Sequence, residues 1–169
     1  MKRKNQAAIG FRYSFVMRDA GGFAMREWTI TNLFPIQGRD HMLDSAIGGG
    51  SQVVTWYVGL FKGDYEPVET DTMSTFVGAA TEFTAYSEPN RIVLAAGSAS
   101  GGAIDNVDVP ARFTFTANDT IYGAFISSSL GKGSGAGILL SAGRFDSPEV
   151  IRSGRTLDVK AGCVLVNVE

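Results

Sequence analysis

Residues 53–61 read Val-Val-Thr-Trp-Tyr-Val-Gly-Leu-Phe, and this stretch is the strongest indication of fold in the chain. Successive residues of a strand point to opposite sides, and here both sides are apolar. Such a strand is typical of a position that is covered on both faces. We therefore expect residues 53–61 to form a central strand of a β-sheet.

The segment upstream of this strand shows the period of two that a strand with one solvated face requires. Its apolar positions are Phe11, Tyr13, Phe15 and Met17, and most of the residues between them are polar. Residues 19–22 (Asp-Ala-Gly-Gly) are typical of a hairpin turn. The chain is expected to return over residues 23–33, and Pro35 then closes this hairpin.

Downstream, short apolar or alternating stretches are separated by turns rich in Gly, Ser, Asn and Pro. After a long acidic loop over residues 62–76, the predicted strands are 81–86, 91–95, 103–104, 112–116, 120–127, 137–145, 156–159 and 163–168. Many short strands with regular turns favour an antiparallel β-sandwich or barrel. We predict one mainly β domain spanning residues 1–169, with a short N-terminal arm of about residues 1–8.

One short helix is expected around residues 38–47. Met42, Leu43, Ala46 and Ile47 share one face at helical spacing. Three glycines at 48–50 then end the helix, because glycine tolerates the left-handed conformation found there. A helix of about ten residues is too short to be stable alone. It is therefore expected to dock on a sheet.

The composition excludes several classes of protein. One Cys and one His among 169 residues rule out a disulfide scaffold and a Cys/His metal site within one chain. Fifteen basic against 17 acidic residues leave no basic excess, so we expect no sequence-specific nucleic-acid partner. The residues after Met1-Lys-Arg-Lys4 are too polar for a signal peptide, and no apolar run is long enough for a membrane helix. We expect no membrane partner and no secretion by a signal peptide.

The sequence contains no convincing catalytic or ligand-binding pattern. His41 and Ser45 lie one helical turn apart, but no third group is evident that would orient them. The glycine-rich stretch 131–137 departs from the phosphate-binding loop pattern and is followed by a strand, which favours an unconstrained hairpin loop. We predict that the protein is not an enzyme, binds no cofactor, and has no catalytic or metal-ligating residue.

Several packing and turn residues occur in an order that resembles a known group of proteins. They are Asn32-Leu33, His41-Met-Leu-Asp44, Thr55-Trp-Tyr-Val-Gly-Leu-Phe61, Tyr65, Asp71-Thr-Met73, Ile104-Asp-Asn106 and Ile121-Tyr-Gly-Ala-Phe-Ile126. Over residues 23–168 the chain is similar to small virion structural proteins of tailed bacteriophages. The resemblance implies a jelly-roll-like sandwich that decorates or cements the outside of the capsid. It also implies a protein made in the host cytoplasm and located in the virion.

The resemblance implies that the partners are the major capsid protein or other virion proteins, and that the chain forms homo-oligomers. Candidate contact residues are Lys2, Arg3 and Lys4 of the arm and Asp64, Glu66, Glu69 and Asp71 of the acidic loop. The alternatives are a solvated tail and a solvated loop, or a loop that binds a hard cation through oxygen ligands.

Two other functions remain open at this point. The first is a head–tail junction, tail or fibre-associated virion component. The second, of another class, is a glycan-binding β-sandwich that uses Trp28, Trp56 or Tyr57 as a stacking platform. Exposed aromatic side chains at one end of the sandwich would favour the glycan-binding function.

Overall fold

A computed structural model describes residues 6–168 of the chain. Their regular elements, in chain order, are β1 (Gln6–Arg18), β2 (Ala24–Thr31), α1 (Ile36–Leu43), β3 (Tyr57–Phe61), α2 (Met73–Ala80), β4 (Glu82–Phe83), β5 (Ile92–Val93), β6 (Ala103–Asp105), β7 (Ala111–Thr114), β8 (Asp119–Ser127), β9 (Leu139–Ile151) and β10 (Thr156–Val168). A π-helical turn, Asp44–Gly48, directly follows α1.

The strands form two antiparallel sheets of five strands each. In the first sheet the order is β2-β1-β10, and both β6 and β7 pair with the far edge of β10. In the second sheet the order is β9-β8-β3, and both β4 and β5 pair with the far edge of β3. These two sheets confirm the predicted antiparallel β-sandwich.

The two sheets are joined at both sides by single bridges between residue pairs. Leu33, just after β2, pairs with Ala142 of β9 through hydrogen bonds of 2.8 and 3.1 Å. On the other side, Tyr86 pairs with Phe115. An open sheet edge is a template for pairing with another chain. These bridges link the sheet edges to one another, so the sandwich is partly closed into a barrel.

The main core lies between the sheets and is built largely from aromatic rings. Phe15 of β1 contacts Trp28 and Phe145 at centroid distances of 5.1 and 4.9 Å, and Tyr86 contacts Phe113 edge-on at 5.0 Å. Edge-on and offset pairs of this kind add to the stability that burial alone provides.

A second, smaller core lies on the outer face of the second sheet, under α2. Phe61 of β3 and Phe125 of β8 pack there against Phe76 at centroid distances of 5.5 and 5.3 Å. Val58 and Leu60 of the same strand face the main core. The prediction that this strand is covered on both faces is therefore confirmed, although the strand itself begins at Tyr57 and not at Val53.

Helix α2 was not predicted, because residues 62–76 were expected to form a loop and residues 81–86 a strand. The helix begins at a capping box in which the Thr72 hydroxyl accepts from the Thr75 amide (3.4 Å) and Thr75 Oγ1 accepts from the Thr72 amide (3.0 Å). Two backbone amides at the helix start, which have no acceptor within the helix, thereby gain a hydrogen-bond partner. Met73, Phe76 and Ala80 then bury one face of the helix.

Helix α1 occurs where it was predicted, but its residues are used differently. It begins after Pro35 and not at Gly38. Gly38 is instead an interior residue of the helix and packs closely against β9. A Cβ atom at this position would lie 2.6 Å from the Leu140 carbonyl oxygen. Of the expected apolar face, Met42 packs on the core, whereas Ile47 is 83% exposed. The glycine stop is confirmed, since Gly49 has a left-handed φ of 75°.

Several strand boundaries differ from those expected; β9, for example, extends to Ile151 and does not end at residue 145. Strand β10 is continuous, although the sequence at residues 160–162 suggested a break, because all of its residues pair with β1. Residues 6–8, expected in the arm, belong to β1 and pair with the end of β10. No helix among residues 6–168 has the length and apolar character needed to cross a membrane.

Candidate functional site

The acidic loop between β3 and α2 presents three carboxylates at the surface. The side chains of Asp64, Glu66 and Glu69 are between 61% and 74% exposed. Each is also near a cation of the same chain: Arg144 pairs with Asp64 and lies 3.6 Å from Glu66, and Arg39 lies 2.9 Å from Glu69. The three carboxylates therefore remain accessible to a partner while they are held in place.

Asp71, the fourth predicted contact residue of this loop, is buried and has an internal role. Its carboxylate accepts a hydrogen bond from the Tyr65 hydroxyl (2.9 Å) and another from the Val68 amide (2.8 Å). Burial and the neighbouring carboxylate raise the pKa of Tyr65. Asp71 thus fixes the shape of the loop, and the exposed carboxylates are the ones that a partner can reach.

Gln37 of α1 ties the loop region to the sandwich. Its side-chain oxygen accepts from the Met73 amide (3.0 Å) at the start of α2 and from the Leu139 amide (2.8 Å) at the start of β9. The Ile36 amide also donates to the Glu69 carbonyl oxygen at 2.8 Å. The acidic loop is consequently held from both helices and from the second sheet.

The predicted basic contact residues Lys2, Arg3 and Lys4 lie outside the described residues. Their role as a contact arm stays a prediction.

The Gly/Ser-rich loop between β8 and β9 is anchored by an internal ion pair, contrary to the expected unconstrained hairpin. The Arg91 guanidinium donates to both carboxylate oxygens of Glu82, at 2.9 and 2.7 Å, and their side chains are 0% and 2% exposed. The same guanidinium donates to the carbonyl oxygens of Ser129 (2.9 Å) and Ser134 (2.8 Å). The Gly133 amide donates to Glu82 at 2.6 Å.

Lys132 at the tip of this loop points back onto the sandwich. Its ammonium nitrogen donates to the Thr84 and Tyr86 carbonyl oxygens at 3.1 and 2.8 Å and lies 3.6 Å from the Tyr86 ring centroid. Burial lowers its pKa, although the nearby carboxylates of Glu88 and Glu82 oppose the shift. The only cation of this glycine-rich stretch is thus engaged in contacts within the chain.

Arg91 and Glu82 are residues that sequence reasoning missed. Both lie within short predicted strands (81–86 and 91–95), and neither shows a spacing that would identify an ion pair. The one indication in the sequence is the composition of the Gly/Ser loop. The loop has few apolar side chains with which to pack on the sandwich, so another group has to hold it there.

A second charged network covers part of the outer face of the first sheet. The buried carboxylate of Asp158 accepts from Arg112 at 2.6 and 2.8 Å and from Arg18 at 2.9 Å. Burial opposes ionisation of this carboxyl group, but the hydrogen bonds from Arg112 and Arg18 outweigh it and lower the pKa of Asp158.

The Asp158→Asn substitution is expected to lower the free energy of unfolding by about 2 kcal/mol at neutral pH, because hydrogen bonds to a charged group are lost. The native state favours the ionised carboxylate, so this stabilisation is present above the ordinary pKa and disappears as the pH falls below about 4. Urea unfolding between pH 7 and pH 2.5 should show the difference between variant and wild type shrinking with acid.

Glu149 provides a control for which the expected pH dependence of stability runs in the opposite direction. Burial raises its pKa, against the opposing effect of Arg26 at 2.6 Å. The free energy of unfolding of Glu149→Gln should therefore increase relative to that of the wild type as the pH rises. If the free energies of unfolding of Asp158→Asn and wild type differed by the same amount at all pH values, this would contradict the assigned role of Asp158.

His41 and Ser45 each contact other groups of the chain. The Ser45 hydroxyl donates to the Met42 carbonyl oxygen at 3.2 Å, and the His41 ring packs edge-on against Trp56 at 5.6 Å. Within residues 6–168 no three His, Cys, Asp or Glu side chains are grouped so that they could hold a metal ion.

An apolar cavity of about 330 Å³ lies at one end of the sandwich, beneath α1 and the π-helical turn. Its wall includes Phe11, Met42, Trp56, Leu140 and Cys163, and its polar groups are few. Burial raises the pKa of the Cys163 thiol, which favours its uncharged form. Sequence reasoning did not identify this cavity, because its lining comes from seven separate segments.

The aromatic residues considered for a glycan platform are partly buried. Trp28 packs against Phe15 and Phe145, and the Arg26 guanidinium carbon lies 5.4 Å from its ring centroid. Its ring therefore already contacts other side chains of the same chain. Trp56 and Tyr57 are also partly buried, and Trp56 packs against the main core.

The chain was also compared with known proteins. The scan against protein-family models and the search of curated proteins both ended without a match.

Proposed function

We propose that this protein is a virion structural component of a tailed bacteriophage, and that it decorates and stabilises the assembled capsid shell. The proposal rests on the sequence resemblance described above. The observation in its favour is the acidic loop, which holds three exposed carboxylates in a fixed arrangement on a β-sandwich. A pre-formed binding loop loses little conformational freedom on binding, and this favours affinity.

A cement protein stabilises by mass action, because it binds the assembled shell in preference to its separated subunits. Exposed ion pairs contribute only about 0–1 kcal/mol each. Repetition of the same contact around a symmetric shell raises the overall strength of attachment. In this proposal the partner surface on the shell carries Lys or Arg side chains that meet Asp64, Glu66 and Glu69.

Removal of the three loop charges tests this surface. The triple variant Asp64→Asn, Glu66→Gln and Glu69→Gln is expected to bind purified shells about tenfold more weakly at low salt, in a co-sedimentation titration. The difference should shrink as salt screens the charges.

The matched control neutralises three exposed carboxylates elsewhere, by Glu27→Gln, Asp40→Asn and Asp108→Asn. It should bind like the wild type. Equal weakening of both triple variants would contradict a specific role for the acidic loop, since only net charge would then matter.

The copy number distinguishes the shell from the alternative position at the head–tail junction, tail or fibre. Gel densitometry of purified virions should give a number of copies comparable with that of the major capsid protein. A number that corresponds to a single ring would favour the neck or tail.

A further inference from the structure

Strand β1 has an open edge at its beginning. It pairs with β10 along its whole length, but β2 pairs with it only from Arg12 onward. Strand β10 is covered on its other side, because residues 162–164 pair with Ala103–Asp105 and the Leu165 amide donates to the Gly102 carbonyl oxygen at 2.8 Å. Within the part of the chain that the structure describes, residues 6–10 of β1 therefore have a strand neighbour on one side only.

The pairing on the β10 side identifies the backbone groups that face this open edge. Successive residues of a strand direct their N–H and C=O groups to opposite sides. The Leu165 amide points to Gly102, away from β1, so the even-numbered residues of β10 are the ones that face β1. They lie opposite the even-numbered residues of β1. The N–H and C=O groups of Ala7 and Ile9 consequently point outward from the open edge, where no residue among 6–168 pairs with them.

The open edge lacks the features that usually protect a sheet edge from other chains, which are charged side chains, proline and bulges. Residues 6–10 read Gln-Ala-Ala-Ile-Gly, with neither a charge nor a proline, and their register with β10 is uninterrupted. A Cβ atom at Gly10 would meet no other atom within 4 Å. A regular and accessible edge of this kind can accept another strand.

An apolar surface lies beside the open edge. Ile9 pairs with Leu165, and the two residues are 38% and 53% exposed. Phe11 is on the same face of β1 as Ile9 and lines the apolar cavity. On a strand added next to β1, every second side chain would point to this face. Apolar side chains at those positions would cover Ile9 and reach the cavity at Phe11.

We propose that the open edge of β1 binds an extended segment of a partner protein, which adds to the first sheet as a further antiparallel strand and carries apolar residues at every second position. In this mode of recognition, main-chain hydrogen bonds supply affinity and contacts of alternate side chains supply specificity. The outward N–H and C=O groups of Ala7 and Ile9 match the donors and acceptors of a peptide backbone. A lipid or a small apolar molecule has no such repeating groups and would leave them without partners.

A second copy of the chain fits this edge less well. The strand that it would offer in return, residues 6–10, has one large apolar side chain, Ile9. One such side chain does not cover Ile9, Leu165 and a cavity of about 330 Å³. The chain's own residues 1–5 are also unsuitable, because they include three cations that would lie against this apolar surface.

A synthetic peptide tests the open edge directly. The probe is a blocked seven-residue peptide in which threonine alternates with valine and leucine, titrated into the purified full-length protein and followed by NMR. It should bind saturably, and amide hydrogen exchange at Ala7 and Ile9 should become at least about tenfold slower in the complex, because these amides gain acceptors.

Two N-methylated forms of the peptide are matched controls for the backbone contact. In an antiparallel pair, the peptide residues opposite Ala7 and Ile9 share their face and direct their own N–H groups to β1. These are the apolar residues of the probe. Methylation of the valine and leucine nitrogens should therefore weaken binding by at least about tenfold, whereas methylation of the threonine nitrogens should leave it unchanged.

A proline variant tests the same contact from the protein side. Ile9→Pro removes an outward amide and leaves the pairing with β10 intact, a position that proline tolerates on an edge strand. It should weaken binding of the unmodified peptide by at least about tenfold. The matched control is Thr29→Pro on the exposed edge of β2. Its amide also points away from β1, as that of Leu33 does towards Ala142, and the variant should bind like the wild type.

The proposal is overturned if the peptide does not bind at concentrations up to about 1 mM, or if it binds without protecting Ala7 and Ile9. Equal effects of the two methylation patterns, or of the two proline variants, would also overturn it. So would slow exchange at both amides in a peptide-free dimer, since a second copy would then occupy the edge. The methylated peptides keep the test decisive if Ile9→Pro fails to fold. The titration contains no shells and does not involve the acidic loop, so its outcome is separate from that of the proposed function.

Discussion

Replacing Arg91 with methionine is expected to lower the free energy of unfolding by about 3–5 kcal/mol, the usual effect of removing one partner from a buried ion pair. The Glu82 carboxylate would remain buried with only the Gly133 amide as a donor. The carbonyl oxygens of Ser129 and Ser134 would also lose their donor. Chemical denaturation at pH 7 measures this loss.

The same substitution should release the Gly/Ser loop. Amide hydrogen exchange over residues 128–138 should become faster in Arg91→Met, because the guanidinium donates to two carbonyl oxygens of this loop and holds the Glu82 carboxylate that binds the Gly133 amide. The matched control is Arg39→Met, which removes an exposed pair with Glu69 and should cost no more than about 1 kcal/mol. Similar losses in the two variants would show that Arg91 is not the anchor described above.

The Phe76→Ala substitution is expected to cost about 3–5 kcal/mol, since it removes a fully buried ring and leaves a cavity. Phe76 is the side chain of α2 that contacts both Phe61 and Phe125 of the second sheet. Thermal or urea unfolding should therefore show a large loss of stability. Loss of α2 from the sheet would also free the acidic loop that precedes it.

Phe23→Ala provides a control with the same chemistry. Phe23 is 74% exposed in the turn between β1 and β2, and its substitution should change the free energy of unfolding by less than about 0.5 kcal/mol. If Phe76→Ala were as mild as Phe23→Ala, then α2 would not form the outer layer of the second sheet.

The main layers of the fold could be predicted because their patterns are local. The alternation at Phe11, Tyr13 and Phe15 and the two apolar faces of residues 57–61 each report one strand and its environment. Helix α2 was missed for a local reason as well. Its capping box uses Thr75 at the position where Glu or Gln is the usual signal, and its apolar face spans only eight residues.

Other features depend on long-range contacts that no short stretch of sequence reveals. The pairing of Arg91 with Glu82 and with the loop after β8 joins three segments. The apparent break at Gly162 disappears because β1 pairs with β10 throughout. Asp71 appeared equivalent to the other acidic residues of its loop, yet the nearby Tyr65 hydroxyl and Val68 amide give it a buried structural role.

We propose that this β-sandwich acts by adhesion to an assembled phage shell, and a cryo-electron microscopy map of the intact virion tests this function most directly. The expected density fits residues 6–168 at repeated positions on the outside of the capsid, with the loop carrying Asp64, Glu66 and Glu69 against the shell. Density at the neck or tail alone, or a particle that lacks the protein, would contradict it.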